Sequence, residues 1–305
     1  MEQLFLHDPA QRQAFLDHKA AIAEIAHNGS AQSRKMDDLI IVPVVVHVMY
    51  NDCENNISNA QVVDAMRVLN EDFRRRNADA SDTRDIFKDL AEDVNMEFRL
   101  ARIDPDGNPT TGINHVETPL SVNANNSIKS ISRWPSDQYL NIWLVESIDA
   151  GAGSGNGIIL GYAQFPNFGS WSTYGVVMRN DRFGTIGTAN GNDRTYTHEV
   201  GHCLGLLHTF QSGCGTSCGS SGDFICDTPP VEDPTWSCSN TQNTCTNDQV
   251  GTDSPFTSNV FDMIENYMSY DDCQNMFTTI QAASMRATIE NTPRLTALVS
   301  EANLI

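Results

Sequence analysis

The eleven residues His198–His208, HEVGHCLGLLH, restrict the fold of this chain more than any other stretch. Residues four apart lie on one face of a helix, so His198 and His202 project together and both imidazoles reach one ion. Glu199 is adjacent to the first and can hold a water beside that ion without ligating it. Gly205 tolerates a left-handed backbone and can end the helix, and His208 follows three residues later on the redirected chain. Three imidazoles leave one position of a tetrahedral zinc ion open, the arrangement of a catalytic rather than a structural site. The alternative is a helix that carries histidines by chance. A bare H-E-x-x-H has many accidental matches, but the extended H-E-x-x-H-x-x-G-x-x-H fixes five positions and tells strongly against chance.

The segments around this motif read as an α/β fold. LIIVPVVVHVMY (Leu39–Tyr50) is a β-branched apolar run and predicts a buried strand. Ser58 and Gln61 form a capping-box pair, and Val62, Met66, Leu69 and Phe73 then repeat at helical spacing. Further strands are predicted at Asn95–Ile103, Gln138–Val145, Ile159–Phe165 and Tyr174–Arg179. After His208 the pattern dissolves into turns and cysteines until a closing helix in FTTIQAASMRATIENT, and no repeat is present. Strands followed by helices packed on them describe one sheet with helical cover.

Ahead of the first strand, Asp8 as N-cap, Pro9 at the first helical position and Asn28-Gly29 as the stop predict a helix over Pro9–His27. Phe15, Ile22 and Ile25 roughly share a face. A single helix on the polar linker SAQSRKMDD cannot fold alone and must pack on the domain C-terminal to it. The expected division is a helical segment and linker at residues 1–37 and a catalytic domain at 38–305, split near Gly205 into an upper part, 38–205, and a lower part, 206–305.

The chain has a net charge of −20 over 305 residues. Such a surface repels phosphate backbones, so nucleic acid is an unlikely partner. No apolar run approaches the ~20 residues of a membrane span. The acidity serves solubility, or in part binds hard cations such as calcium. Five of the eight cysteines fall between Cys214 and Cys245 in a polar segment unable to build a core. Disulfides are most useful there, which implies an oxidising, extracytoplasmic location. Cys214 and Cys218 have C-x3-C spacing, but no matching pair succeeds them to complete a cysteine zinc site. Cys203 neighbours His202, points off the metal face and reads as a buried thiol; Cys53 reads as another free one. Met1–Leu6 lacks a basic n-region, so the signal of a secreted precursor would lie upstream. The sequence carries no signal of oligomeric state.

VPVVVHVMY, LGYAQFP, THEVGHCLGLLHTF, GDFICDTPP and NYMSYDDCQNMFT resemble the metzincin zinc endopeptidases, and within them the secreted bacterial and archaeal branch of the pappalysin family. The resemblance spans Val42–Thr278. It implies a metzincin-like catalytic domain: a twisted, mostly parallel sheet, an active-site helix, and an irregular disulfide-bonded lower subdomain. It implies zinc on His198, His202 and His208, Glu199 as general base and then acid, and Met268 beneath the metal without ligating it. Tyr270 would help hold the tetrahedral intermediate, or else is packed wall. Asp223, Asp227 and Thr228 would bind calcium, or else form a capped turn. Two disulfides are expected among Cys214, Cys226, Cys238, Cys245 and Cys273, one reaching Cys273, with pairing left open. The resemblance further implies that the loop after Tyr270 would wall the pocket for the residue after the cleaved bond. Asp271 and Asp272 there would select arginine or lysine, unless they are solvated loop groups. An edge strand at Leu160–Phe165 could take an extended peptide by strand addition. The segment 1–37 looks like the remainder of a propeptide. No cysteine precedes Cys53, so a cysteine switch would lie upstream, with Asp8 a weak substitute, and Ser33-Arg34-Lys35 offers a site for self-cleavage. The partners are then protein or peptide substrates. A noncatalytic relative that kept the fold, or a metallohydrolase of small amides, are the rival readings. The presence of Glu199 with all three histidines opposes the first; the second is opposed only weakly, by the peptide-like edge strand.

Overall fold

The computed structural model describes residues 9–30, 38–151, 157–189, 191, 193–249 and 254–300. Asp8 and the Ser33–Lys35 stretch lie outside them. Strand β1 (Ile40–Tyr50) is the spine of a six-stranded sheet and is buried over most of its length. On one side it pairs in parallel with β3 (Met96–Leu100) along its first half and with β4 (Ile113–Glu117) along its second. On the other side lies β5 (Leu140–Val145), then β7 (Val176–Arg179), both parallel. The edge strand β6 (Gly161–Ala163) runs antiparallel to β7. A strand buried on both faces needs an apolar residue at nearly every position, which is why β1 and β5 were readable. β4, INHVE, is short, polar and only partly buried, and carries no such signal.

Helix α2 (Asn59–Phe73) lays Val62, Ala65, Met66, Leu69 and Phe73 on the sheet. Ser58 caps it by accepting from the Gln61 N–H at 3.2 Å. The reciprocal half of the predicted capping box is absent: Gln61 Oε1, which would accept from the Ser58 N–H, instead accepts from the Thr188 N–H at 3.0 Å, while its Nε2 donates to the Asn180 and Phe183 carbonyls. Helix α3 (Thr195–Cys203) carries the histidines, and α4 (Thr279–Glu290) closes the chain with α5 (Pro293–Leu298). A full capping box sits at the start of α4, between Thr278 and Gln281. A two-stranded ribbon of β2 (Ala91–Glu92) and β8 (Phe277–Thr278) ties the C-terminal region back to the front half.

Helix α1 (Pro9–Ser30) lies against α4. Its buried stripe is Phe15, Lys19, Ile22, Ala23 and Ala26, whereas Ile25 is 43% exposed. The stripe follows i, i+4, i+7, i+8 and i+11; Ile25 falls off it, which corrects the face assigned from sequence. Phe15 packs into a separate cluster with Phe165, Phe168, Leu207 and Phe224.

Candidate metal centre and active-site cleft

Helix α3 ends where the sequence places the break. Gly205 has φ +93°, a left-handed value that favours glycine, and the Leu206 N–H returns to the Gly201 carbonyl at 3.0 Å. The chain then delivers His208 back to the helix. Its Nε2 lies 3.1 Å from the Nε2 of both His202 and His198. The other ring nitrogens are engaged: His198 Nδ1 meets the Tyr267 carbonyl and His202 Nδ1 the Leu206 carbonyl, each at 2.7 Å. A carbonyl only accepts, so Nδ1 carries the proton in both rings and Nε2 presents a lone pair. Burial drives the imidazoles of all three toward neutrality, His198 down to about 4 and His202 and His208 well below the usual imidazole value. Converging lone pairs repel unless a cation lies among them, and ~2.0–2.1 Å zinc–nitrogen bonds suit this spacing.

Glu199 is buried beside the triad, and one of its carboxylate oxygens has no partner. Burial pushes its carboxyl up to about 8; a dication next to it pulls the other way. Met268 is wholly buried, its sulfur packed over Gly201 beneath the histidines. The Tyr270 ring lies 5.0 Å from His208 and 5.5 Å from His198 and is 39% exposed. His198, Glu199 and Tyr270 open onto a cleft of about 680 Å³ that Ile158, Leu160 and Gly161 line on the β6 side and Trp236 and Asp272 on the other.

Behind the site lies a buried network that the sequence did not reveal. Asp72 of α2 accepts from the Thr197 hydroxyl at 2.6 Å and the Tyr267 hydroxyl at 2.9 Å, and pairs with Arg194 at 3.1 Å. Tyr267 is also the residue whose carbonyl orients His198, so one carboxylate ties the start of the histidine helix to the turn under the metal. Burial pushes Asp72 up to about 6, against the pull of Arg194, Thr197 and Tyr267. Gln274 donates to the Tyr267 and Ser269 carbonyls and braces the same turn. No sequence spacing marks the Asp72 contacts, since the partners lie more than a hundred residues apart.

The structure divides two groups that share a role in the sequence-based expectation. Asp271 is buried, and its carboxylate accepts from Thr235 Oγ1, the Cys238 N–H and Ser269 Oγ. It borders the cleft, but its carboxylate is committed to these three donors and braces a loop; Asp272 is the exposed member of the pair. Likewise Asp227 accepts from Thr278 Oγ1 at 2.6 Å and the Ile280 N–H at 2.8 Å, so its carboxylate caps α4. Asp223 and Thr228 instead line a small cavity of about 20 Å³ with Thr209, Asn247 and Asp248. Asp223 accepts from Thr228 Oγ1 and the Ile225 N–H, and burial pushes it up to about 7. Lys19 of α1 reaches this region and donates to the Gly205 carbonyl at 2.6 Å.

Three disulfides close the C-terminal region: Cys214–Cys245, Cys218–Cys226 and Cys238–Cys273. Cys273 is bridged, as expected. Cys218 falls outside the expected set because its spacing to Cys214 points to no partner; that partner is Cys226, eight residues on. Cys203 is a buried free thiol and Cys53 an exposed one.

A mostly parallel sheet, a helix carrying His198 and His202, a glycine turn returning His208 and a methionine turn below define a metallopeptidase of the metzincin type with a site fitted to zinc. The chain belongs to the M43 peptidase family: the family's profile, described as pregnancy-associated plasma protein-A, matches residues 123–290. It is similar to mature mirolysin of Tannerella forsythia, solved with a cleaved peptide, at 36% identity over 86% of this chain and 99% of that one, with a TM-score of 0.69. A promirolysin variant from the same organism covers 100% of this chain and 96% of its own at 33% identity, with a TM-score of 0.77. Among curated relatives, an extracellular metalloprotease of Pyricularia oryzae is 28% identical over 87% of this chain and 80% of its own length. One of Verticillium alfalfae is 29% identical over 90% and 87%.

Proposed function

We propose that the protein is a secreted endopeptidase that cleaves protein chains at the centre formed by His198, His202 and His208. The observation that carries this reading is the convergence of three Nε2 lone pairs beside the unpartnered carboxylate oxygen of Glu199, in a cleft bordered by a sheet edge. Zinc bound there supplies an acidified water and a Lewis acid for the scissile carbonyl. Glu199 takes the proton of the attacking water and passes it to the leaving amine. Tyr270 donates to the oxyanion of the tetrahedral intermediate. The substrate lies extended along β6, whose outer edge pairs with no other strand among the described residues. Three disulfides and the extracellular relatives support secretion.

Asp272, exposed at the rim of the cleft, gives a preference for arginine or lysine after the scissile bond. Residues 1–37 act as a prosegment ahead of an upper part at 38–205 and a lower part at 206–305. Support comes from the promirolysin match, which covers 100% of this chain against 86% for the mature form. With that preference the enzyme cuts its own linker at Ser33–Arg34 or Arg34–Lys35. Calcium binds in the cavity of Asp223 and Thr228, where burial of carboxylates is offset by a dication. Denatured casein tests the reading directly: cleavage by the wild-type chain that stops on zinc chelation and returns with zinc supports it, and cleavage indifferent to the chelator contradicts it. Sequencing the new N-termini of wild-type and Glu199→Ala chains incubated side by side tests self-processing, which equal trimming of both would refute. Calcium should raise the melting temperature of the zinc-loaded protein by mass action, and a curve indifferent to calcium counts against the site.

A further inference from the structure

Trp236 is 63% exposed, the largest side chain so placed among the described residues. Indoles are highly buried on average, and this one stands at the lip of the cleft, 6.2 Å from the Tyr270 ring at 29° to it. The turn that carries it is tied on both sides. Asp271 is 1% exposed and accepts from Thr235 Oγ1 at 2.6 Å and from the Cys238 N–H at 3.0 Å. Those two anchors straddle Trp236, and the Cys238–Cys273 disulfide fastens the same turn to the loop after Tyr270. A buried carboxylate and a covalent bridge thus fasten the turn that presents one exposed indole at the lip of the cleft. Such preorganisation lowers the ordering cost of a contact formed on binding.

We propose that Trp236 is a specificity-determining residue: its ring is the wall against which the substrate side chain after the scissile bond stacks, and Asp271 positions that wall. The exposed Asp272 carboxylate borders the same space. A flat cation matches both features at once, with its face on the indole and its N–H groups on the carboxylate. The wall therefore adds to the preference for arginine, whose planar guanidinium stacks on the indole, over lysine, whose ammonium is a compact point charge. This inference deepens the proposed preference for basic residues and rests on it.

The test uses the full zinc-loaded chain and three peptides that differ only in the residue after the cleaved bond: arginine, lysine or leucine. The wild type should favour arginine over lysine. Trp236→Ala should lower kcat/KM for the arginine peptide about tenfold, chiefly through KM, with smaller losses for the other two. Trp236→Phe should restore part of the loss. Asp271→Asn should reproduce the pattern in the wild-type background and add little once Trp236 is alanine; Thr235→Val removes one tether and serves if Asp271→Asn folds poorly. Binding of the arginine peptide to the Glu199→Ala protein, with and without Trp236→Ala, gives a readout that needs no turnover and should weaken about tenfold. Equal losses for all three peptides, or binding unchanged by Trp236→Ala, would overturn the role of Trp236. Additive effects of Asp271→Asn and Trp236→Ala would overturn the role of Asp271. A wild-type chain that binds the arginine peptide through Trp236 but cleaves none of the three contradicts the peptidase reading instead.

Discussion

Gly201, in the last turn of the histidine helix, is a sensitive test of how the metal site is supported from below. A Cβ built there lies 2.6 Å from Met268 Sδ, 3.5 Å from Met268 Cε and 3.7 Å from Leu206 Cδ1. Ordinary non-bonded contacts sit near ~3.5–4.0 Å, so the sulfur must retreat by about 1 Å. Met268 is wholly buried, and the helix above it carries both His198 and His202. Overpacking of this kind costs ~1–3 kcal/mol, against a helix-propensity gain of up to ~1 kcal/mol for alanine over glycine. Gly201→Ala should therefore destabilise the zinc-loaded protein by ~0–3 kcal/mol and accelerate zinc loss. Met268→Ala alone removes packed volume and should cost ~2–5 kcal/mol. In the double variant the new methyl enters vacated space and the clash disappears, so the two changes should cost less together than their sum, by ~0.5–3 kcal/mol. Urea unfolding of the four proteins of the cycle, disulfides intact, measures this coupling. Additivity within ~0.3–0.5 kcal/mol would show that the methionine does not dictate the glycine.

Gly161 of β6 borders Glu199: an added Cβ would collide with Met178 Sδ and approach Glu199 Cγ at 3.1 Å. Gly161→Ala should lower kcat more than tenfold while zinc content, read by metal analysis, stays near the wild-type value. Asp227→Ala removes the acceptor for Thr278 Oγ1 and the Ile280 N–H and should lower stability by ~1–2 kcal/mol in urea unfolding; an unchanged midpoint would deny its capping role. Burial holds the Lys19 ammonium down at about 8 from 10.5. An undocked helix therefore binds the proton more tightly, so docking of α1 should strengthen as pH rises from 8 toward 10.5 and weaken as it falls through 8. Removal of α1 by an added protease should track that trend in the wild type relative to Lys19→Met, a comparison that cancels the protease's own pH response; a constant ratio would contradict it.

The parts of this protein that were readable in sequence are those with local periodicity. The i, i+4 histidines, Gly205 and His208 lie within eleven residues, so helix geometry pairs His198 with His202 and a glycine able to turn the chain returns His208 to them. The long apolar runs of β1 and β5 declared strands because both faces are buried. What escaped depends on tertiary placement. Asp72 looks like one more polar residue of α2, yet it joins Arg194, Thr197 and Tyr267 across more than a hundred residues. Asp271 and Asp272 are indistinguishable in sequence; only the Thr235 and Cys238 partners show which one is structural. Cys218 could not be assigned from order alone because pairing depends on loop geometry. Lys19 occupies a core position of α1 that periodicity would reserve for an apolar residue, and the Gly205 carbonyl with the nearby Asp223 carboxylate explains it.

The central claim is that His198, His202 and His208 hold zinc while Glu199, which does not ligate it, moves the proton. Zinc content and peptide hydrolysis measured together on purified wild-type, Glu199→Ala and His208→Ala chains test it most directly. Wild type should bind one zinc and cleave; Glu199→Ala should bind one zinc and lose at least ~10²–10⁴-fold in rate; His208→Ala should lose both. A Glu199→Ala chain that still hydrolyses peptide at the wild-type rate, or a His208→Ala chain that keeps its zinc, would contradict the account.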